Sequence, residues 1–281
     1  MLRSPSRGGA EAGRTPEIAA RLKRLAGPGV RLGDKGGAGM RRAWAEGVGT
    51  FIVVFAGCGA AAVGGAALGT IGIALAFGLA FAAAALALGP VSGAHLNPAV
   101  TVAAALAGRM RPRDVLPYVA AQSAGATAGV GLAVTIARGR PGGAPGVFDA
   151  LSGGFGRHSP GFYGANAALA AEIGLSAILA FVLLGGAERA RPATQHALSA
   201  AAGGIGITLV HLVGMPVTGL PAHPARALGV ALCAGGVALD QLWVFVLGPI
   251  VGGAIAAMAL RILFTPERSS EGARATAERA R

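Results

Sequence analysis

From position 43 onward the chain is a series of long apolar runs, separated by breaks that range from an uncharged turn at 64–69 to a loop at 138–163. Runs at about 43–63, 70–89, 115–137, 164–186, 197–215 and 241–264 are each long enough for a membrane-crossing helix, which needs about 20 residues. Two further apolar segments, 97–107 and 223–235, are too short to cross. The first follows Ser92-Gly93-Ala94-His95-Leu96 and opens on Asn97-Pro98-Ala99. Asn97 is placed to cap a helix, and Pro98 occupies its first position, where a missing N–H costs nothing. The second short segment opens in the same way, on His223-Pro224-Ala225. A capped half-span inside an apolar protein points its positive N-terminal end at whatever passes.

The two short segments belong to a repeat. Glu46 opens the first span and Asn97 lies 51 positions beyond it; Glu172 opens the fourth span and His223 lies 51 positions beyond that. Each half therefore contains a span with an early glutamate, a second span, a half-span that starts x-Pro-Ala, and a third span. With three spans per half, the second copy enters from the opposite face. The expected fold is all-α and membrane-embedded: six transmembrane helices plus two re-entrant half-helices in an inverted repeat, with the half-spans in corresponding places marking a pore or binding site.

Composition supports a membrane protein. Charged residues make up 13% of the 281 positions and hydrophobic ones 53%, against roughly 25% charged in soluble domains. The mean hydropathy is +0.61. The net charge of +12 is not spread like a nucleic-acid surface: ten basic residues precede Ala43 with no aromatic residues among them, so no nucleic-acid partner is expected. Residues 1–42 form a basic, disordered cytoplasmic tail in this reading, with a short amphipathic helix from Thr15-Pro16-Glu17 as an option. Residues 43–264 form the membrane domain and 265–281 a C-terminal cytoplasmic tail. Arg109, Arg111, Arg113, Glu188, Arg189 and Arg191 fall on the same side as both tails, which places both termini in the cytoplasm by the positive-inside rule; Arg138, Arg140 and Arg157 dissent mildly. Cys58 and Cys233 sit in apolar segments without metal-ligand spacing, and no nucleophile–base pair or metal cluster is evident. Neither an enzyme nor a cofactor or metal is expected.

Several stretches are similar to the aquaporin (major intrinsic protein) family, most like its bacterial aquaporin Z type. They include Ala45-Glu46-Gly47-Val48-Gly49-Thr50-Phe51, Ser92 to Thr101, His211-Leu212, Pro216-Val217-Thr218, Pro224-Ala225-Arg226 and Gly248-Pro249-Ile250-Val251-Gly252-Gly253. The likeness covers about 43–264. It implies a bundle of six tilted helices and two half-helices meeting at mid-membrane, a homotetramer with one pore per subunit, and a place in the cell (inner) membrane.

The resemblance also implies roles. Asn97-Pro98-Ala99 and His223-Pro224-Ala225 form the pore centre. Phe77, His211, Leu220 and Arg226 form a narrow filter, in which the arginine donates to water and repels cations. Glu46 and Glu172 are structural buried acids that accept hydrogen bonds from the loops leading into the half-helices, and His95 lies in the inner vestibule wall. An aromatic and imidazole wall facing Arg226 suits water, with a small neutral solute of the glycerol type as the alternative. His223 is the departure, because the family normally has asparagine there. In its neutral form one ring nitrogen is expected to accept from a backbone N–H and the other to donate to water. A titratable ring at that point leaves strict proton exclusion open, and with it a pH-sensitive or poorly conducting channel. A non-conducting membrane scaffold is the alternative of a different class.

Overall fold

The computed structural model describes residues 35–186, 192–219 and 221–264. The tails beyond them, the option of a helix near Thr15, and Leu220 lie outside the described residues. Among these residues the regular structure is entirely helical.

Helix α1 spans Lys35–Gly59 and runs into a π-helical turn, Ala60–Gly64. It begins ahead of the boundary expected at 43, because Met40-Arg41-Arg42 extends the helix beyond the apolar run. Helix α2 spans Gly65–Ser92. The turn expected at 64–69 between the first two spans is a tight one. The chain reverses at Gly69, whose φ of +58° lies in the region glycine enters without a Cβ penalty. Together Gly37–Ser92 is one apolar stretch of 56 residues, long enough to cross twice at 1.5 Å per residue.

The first half-helix, α3, is Pro98–Leu106, and α4 is Pro112–Arg138. The long loop that follows contains a short helix α5, Val147–Leu151, and a 3-10 turn, Gly156–His158. Helix α6 spans Ala165–Gly185, α7 spans Pro192–Thr218, and the second half-helix α8 spans Pro224–Ala234. After a short turn of helix, α9 at Val237–Asp240, the last long helix α10 runs over Leu242–Phe264.

Glycine contacts fix the directions. Gly49 faces Leu88 and Gly57 faces Phe77, so α1 and α2 are antiparallel. Gly47 lies against Ala121, and Gly129 against Phe51 and Phe55, so α1 and α4 run the same way. In the second half Gly248 meets Glu172 and Gly252 meets Ser176, so α6 and α10 are likewise parallel. Small residues allow these approaches where lipid supplies no hydrophobic drive between helices.

The halves are interlocked. Gly253 of α10 packs on Ala99 of α3, and Gly229 of α8 packs on Thr127 of α4. Each half-helix thus lies against the last long helix of the other half. Large apolar side chains such as Ile71, Leu79 and Ile205 are exposed on the outside of the bundle, as expected for a surface in contact with lipid.

Candidate pore and selectivity filter

The two half-helices begin alike. Asn97 and His223 have extended backbones, φ −158° and −152°, and each precedes a proline at the first helical position. The side-chain oxygen of Asn97 accepts from the Ala99 N–H at 2.9 Å. Nδ1 of His223 accepts from the Arg226 N–H at 3.3 Å. Each cap is preceded by a left-handed residue that is not glycine: Leu96 at φ +49° and Ala222 at φ +40°. Such a conformation costs of order 1–3 kcal/mol and persists only where the surroundings hold it.

Buried carboxylates hold these bends. Glu46 accepts from the backbone N–H groups of His95, at 3.0 Å, and Leu96, at 2.6 Å. Gln122 donates to Glu46 at 2.8 Å and to Thr101 of α3 at 2.9 Å. In the second half Glu172 accepts from the Ala222 N–H at 3.0 Å and from the Thr218 hydroxyl at 2.8 Å. Both glutamates are fully buried. A carboxylate that receives two or three charge-assisted hydrogen bonds in an apolar interior rigidifies the loops it joins.

The bends aim each preceding carbonyl at the opposite cap. Asn97 Nδ2 donates to Ala222 O at 2.9 Å, and Nε2 of His223 lies 2.7 Å from Leu96 O. A carbonyl only accepts, so Nε2 carries the hydrogen. Here the structure corrects the sequence expectation: the second ring nitrogen of His223 donates to Leu96, not toward water.

The residues expected to form a filter, Phe77, His211 and Arg226, are brought together beside this centre. The rings of Phe77 and His211 stack with centroids 4.4 Å apart and planes at 22°. The Arg226 guanidinium carbon lies 4.7 Å above the Phe77 ring, within cation–π range. Arg226 Nη2 donates to the carbonyl of Leu151 at 3.3 Å, a partner that sequence reasoning missed because a backbone carbonyl leaves no mark on residue type. Nδ1 of His211 donates to Ile207 O at 2.8 Å. Its Nε2 is then a bare acceptor, buried and without a partner among the described residues.

Cavities lie in file along these side chains. One of about 380 Å³ has Phe77, Arg226, Asp149 and Pro216 on its walls. A narrow one of about 20 Å³ is bounded by Phe77, Asn97, His211, His223, Arg226 and Leu179. On the far side, one of about 200 Å³ touches Phe81, Leu183, His95 and His196. Phe81 follows Phe77, and Leu183 follows Leu179, by one helical turn, so the narrow and far cavities lie along the same helix faces. His95 also stacks obliquely on Tyr118, with centroids 5.6 Å apart. Tyr118 donates to Ser92 O at 2.8 Å. Among the described residues no group of acids, histidines and cysteines is placed to hold a metal.

An apolar helical bundle built as an inverted repeat around a narrow line of cavities, with a few fixed polar groups at its waist, defines a membrane channel. Comparison with known proteins agrees. The family model described as "Major intrinsic protein" matches residues 36–260. The chain belongs to that family, whose members are channels and not enzymes.

Among curated proteins it is 39% identical over 232 residues to aquaporin Z of Bradyrhizobium diazoefficiens, covering 80% of this chain and 93% of that one. It is 43% identical over 218 residues to aquaporin Z of Brucella melitensis, covering 76% and 93%. Among solved structures, the X-ray structure of the aquaglyceroporin from Plasmodium falciparum superposes with a TM-score of 0.70 at 22% identity, covering 81% of this chain and 98% of that chain. At that identity the likeness concerns the fold.

Proposed function

We propose that this protein is a passive water channel. The narrow cavity of about 20 Å³ between Phe77, His211, Arg226 and Asn97 carries the reading. A water molecule needs roughly 10–15 Å³ of such space, so one water fits, whereas a polyol such as glycerol must expand the constriction. The wall suits that water chemically. Arg226 and Asn97 offer N–H donors, and the bare Nε2 of His211 offers an acceptor. The Phe77 ring, stacked on His211, fills one side of the passage. Likeness to proteins named aquaporin Z supports the same conclusion. Leu220 stays in the proposal as the fourth filter position on the family resemblance alone.

In this reading Arg226 and the positive ends of α3 and α8 repel cations, and flow follows the osmotic gradient without a cofactor. The protein lies in the cell (inner) membrane with both termini in the cytoplasm, an orientation supported by Arg109, Arg111 and Arg113 after α3 and by the basic tails. It assembles as a homotetramer. An apolar groove between α1 and α4, lined by Trp44, Val48, Phe51, Pro117 and Ala121, offers a face that a neighbouring subunit can cover.

The test is osmotic shrinkage of proteoliposomes by stopped-flow light scattering, with glycerol uptake measured on the same vesicles. Water flux well above empty vesicles with little glycerol flux is expected. Glycerol flux comparable to water flux overturns the water assignment, and no flux of either overturns the channel.

A further inference from the structure

His223 stands where the repeat places the partner of Asn97, yet the two side chains do not offer the pore the same thing. The amide of Asn97 has one oxygen and two N–H groups. The oxygen caps α3, and one N–H goes to Ala222 O. Asn97 lines the narrow cavity, and its second N–H is the one donor left over from these bonds. The neutral imidazole of His223 has one N–H and one lone pair. Its N–H goes to Leu96 O and its lone pair takes the Arg226 N–H. The ring makes every backbone contact the repeat asks of it and then has no hydrogen left for a water.

We propose that His223 makes the pore centre a one-donor site, so that the file of water passes it unbroken and protons cross along with water. This rests on the water-channel reading above. A water molecule accepts two hydrogen bonds. Two donors from the wall occupy both its lone pairs, and no neighbouring water can then hand it a proton. With Asn97 as the single donor, one lone pair stays open to the next water in the file. The central water takes a proton on one side and releases one on the other, so each water gains and loses one and nothing is consumed. Arg226 and the N-terminal ends of α3 and α8 still oppose a positive charge, which makes the leak graded rather than free. His223 is thus a specificity-determining residue: it sets how strictly the channel separates water from protons.

The experiment uses the full chain in proteoliposomes that contain a pH-sensitive dye, with the potential clamped by potassium and valinomycin. Osmotic shrinkage is recorded on the same vesicles, and wild type is compared with His223→Asn. The ratio of proton to water flux is expected to fall about fivefold in the variant, the equivalent of one ordinary hydrogen bond. An unchanged ratio overturns the inference. So does a wild type that passes water while its proton flux equals that of empty vesicles. A wild type that passes no water overturns the water-channel reading and this inference with it.

Nitrogen-15 NMR of histidine-labelled wild type in membranes gives a second reading that needs no variant. A His223 ring protonated at Nε2 supports the one-donor centre, and one protonated at Nδ1 overturns it.

Discussion

Gly78 of α2 and Gly204 of α7 lie back to back at the centre of the molecule. A methyl group on Gly204 would come within 2.8 Å of the Gly78 carbonyl oxygen, and one on Gly78 within 2.5 Å of the Gly204 oxygen. They are 126 positions apart, as are Glu46 and Glu172, Asn97 and His223, and Leu96 and Ala222. Equivalent residues of an inverted repeat touch each other only on its two-fold axis, so this contact marks the axis. The crossing also positions Phe77, the neighbour of Gly78, against His211.

Overpacking that crossing is therefore costly. Gly204→Val is expected to lower stability by about 1–3 kcal/mol, seen as a fall in the denaturation midpoint in detergent. Gly131→Ala on α4, where a Cβ meets nothing within 4 Å, serves as the comparison and is expected to leave the midpoint nearly unchanged.

The two buried glutamates are not equal. Glu46 receives three hydrogen bonds and Glu172 two among those described above. Replacing either by leucine strands buried donors at about 1–3 kcal/mol each. Glu46→Leu is expected to destabilise more than Glu172→Leu, measured by thermal unfolding of the purified protein, and to abolish water flux because the bend at Leu96 collapses.

Arg226 is held between the Phe77 ring and the Leu151 carbonyl, the position proposed for the filter. Arg226→Val removes the guanidinium from the narrowest point and is expected to raise glycerol uptake by at least about tenfold, the scale on which steric fit in a pocket discriminates between solutes. Proteoliposome swelling in glycerol measures it. Unchanged exclusion of glycerol places the barrier elsewhere.

Ser159 clamps the long loop onto the end of α7. Its hydroxyl donates to Val217 O at 2.7 Å and accepts from the N–H groups of Gly161, at 3.2 Å, and Tyr163, at 2.9 Å. Ser159→Ala removes all three bonds. Amide exchange over 159–163, followed by mass spectrometry, is expected to speed up by about tenfold, the effect of roughly 1.4 kcal/mol lost from a site where each unpaired group costs about 1–3 kcal/mol.

The six spans, the two half-spans, their caps and the repeat were legible in the chain alone. Apolar length, an Asn-Pro or His-Pro at a helix start, and equal spacing are properties of consecutive residues, and membrane insertion leaves few other ways to satisfy the backbone. The roles of Phe77, His211 and Arg226 came from likeness to a family, since a phenylalanine or histidine in an apolar helix carries no pore signal of its own. The reversal at Gly69 falls within the turn expected at 64–69, whereas the π-turn at Ala60–Gly64 was hidden, because the apolar pattern runs through it unbroken.

Only the tertiary structure decided what His223 does with its two nitrogens. Its residue type allows one donor and one acceptor, but not the choice of partner. That choice depends on a carbonyl 127 positions earlier, at Leu96, turned toward the ring by a left-handed bend that Glu46 holds from a third segment. The Leu151 carbonyl that meets Arg226 was invisible for the same reason. Side-chain chemistry is written in the sequence, whereas the direction of a backbone carbonyl is set by packing between distant parts of the chain.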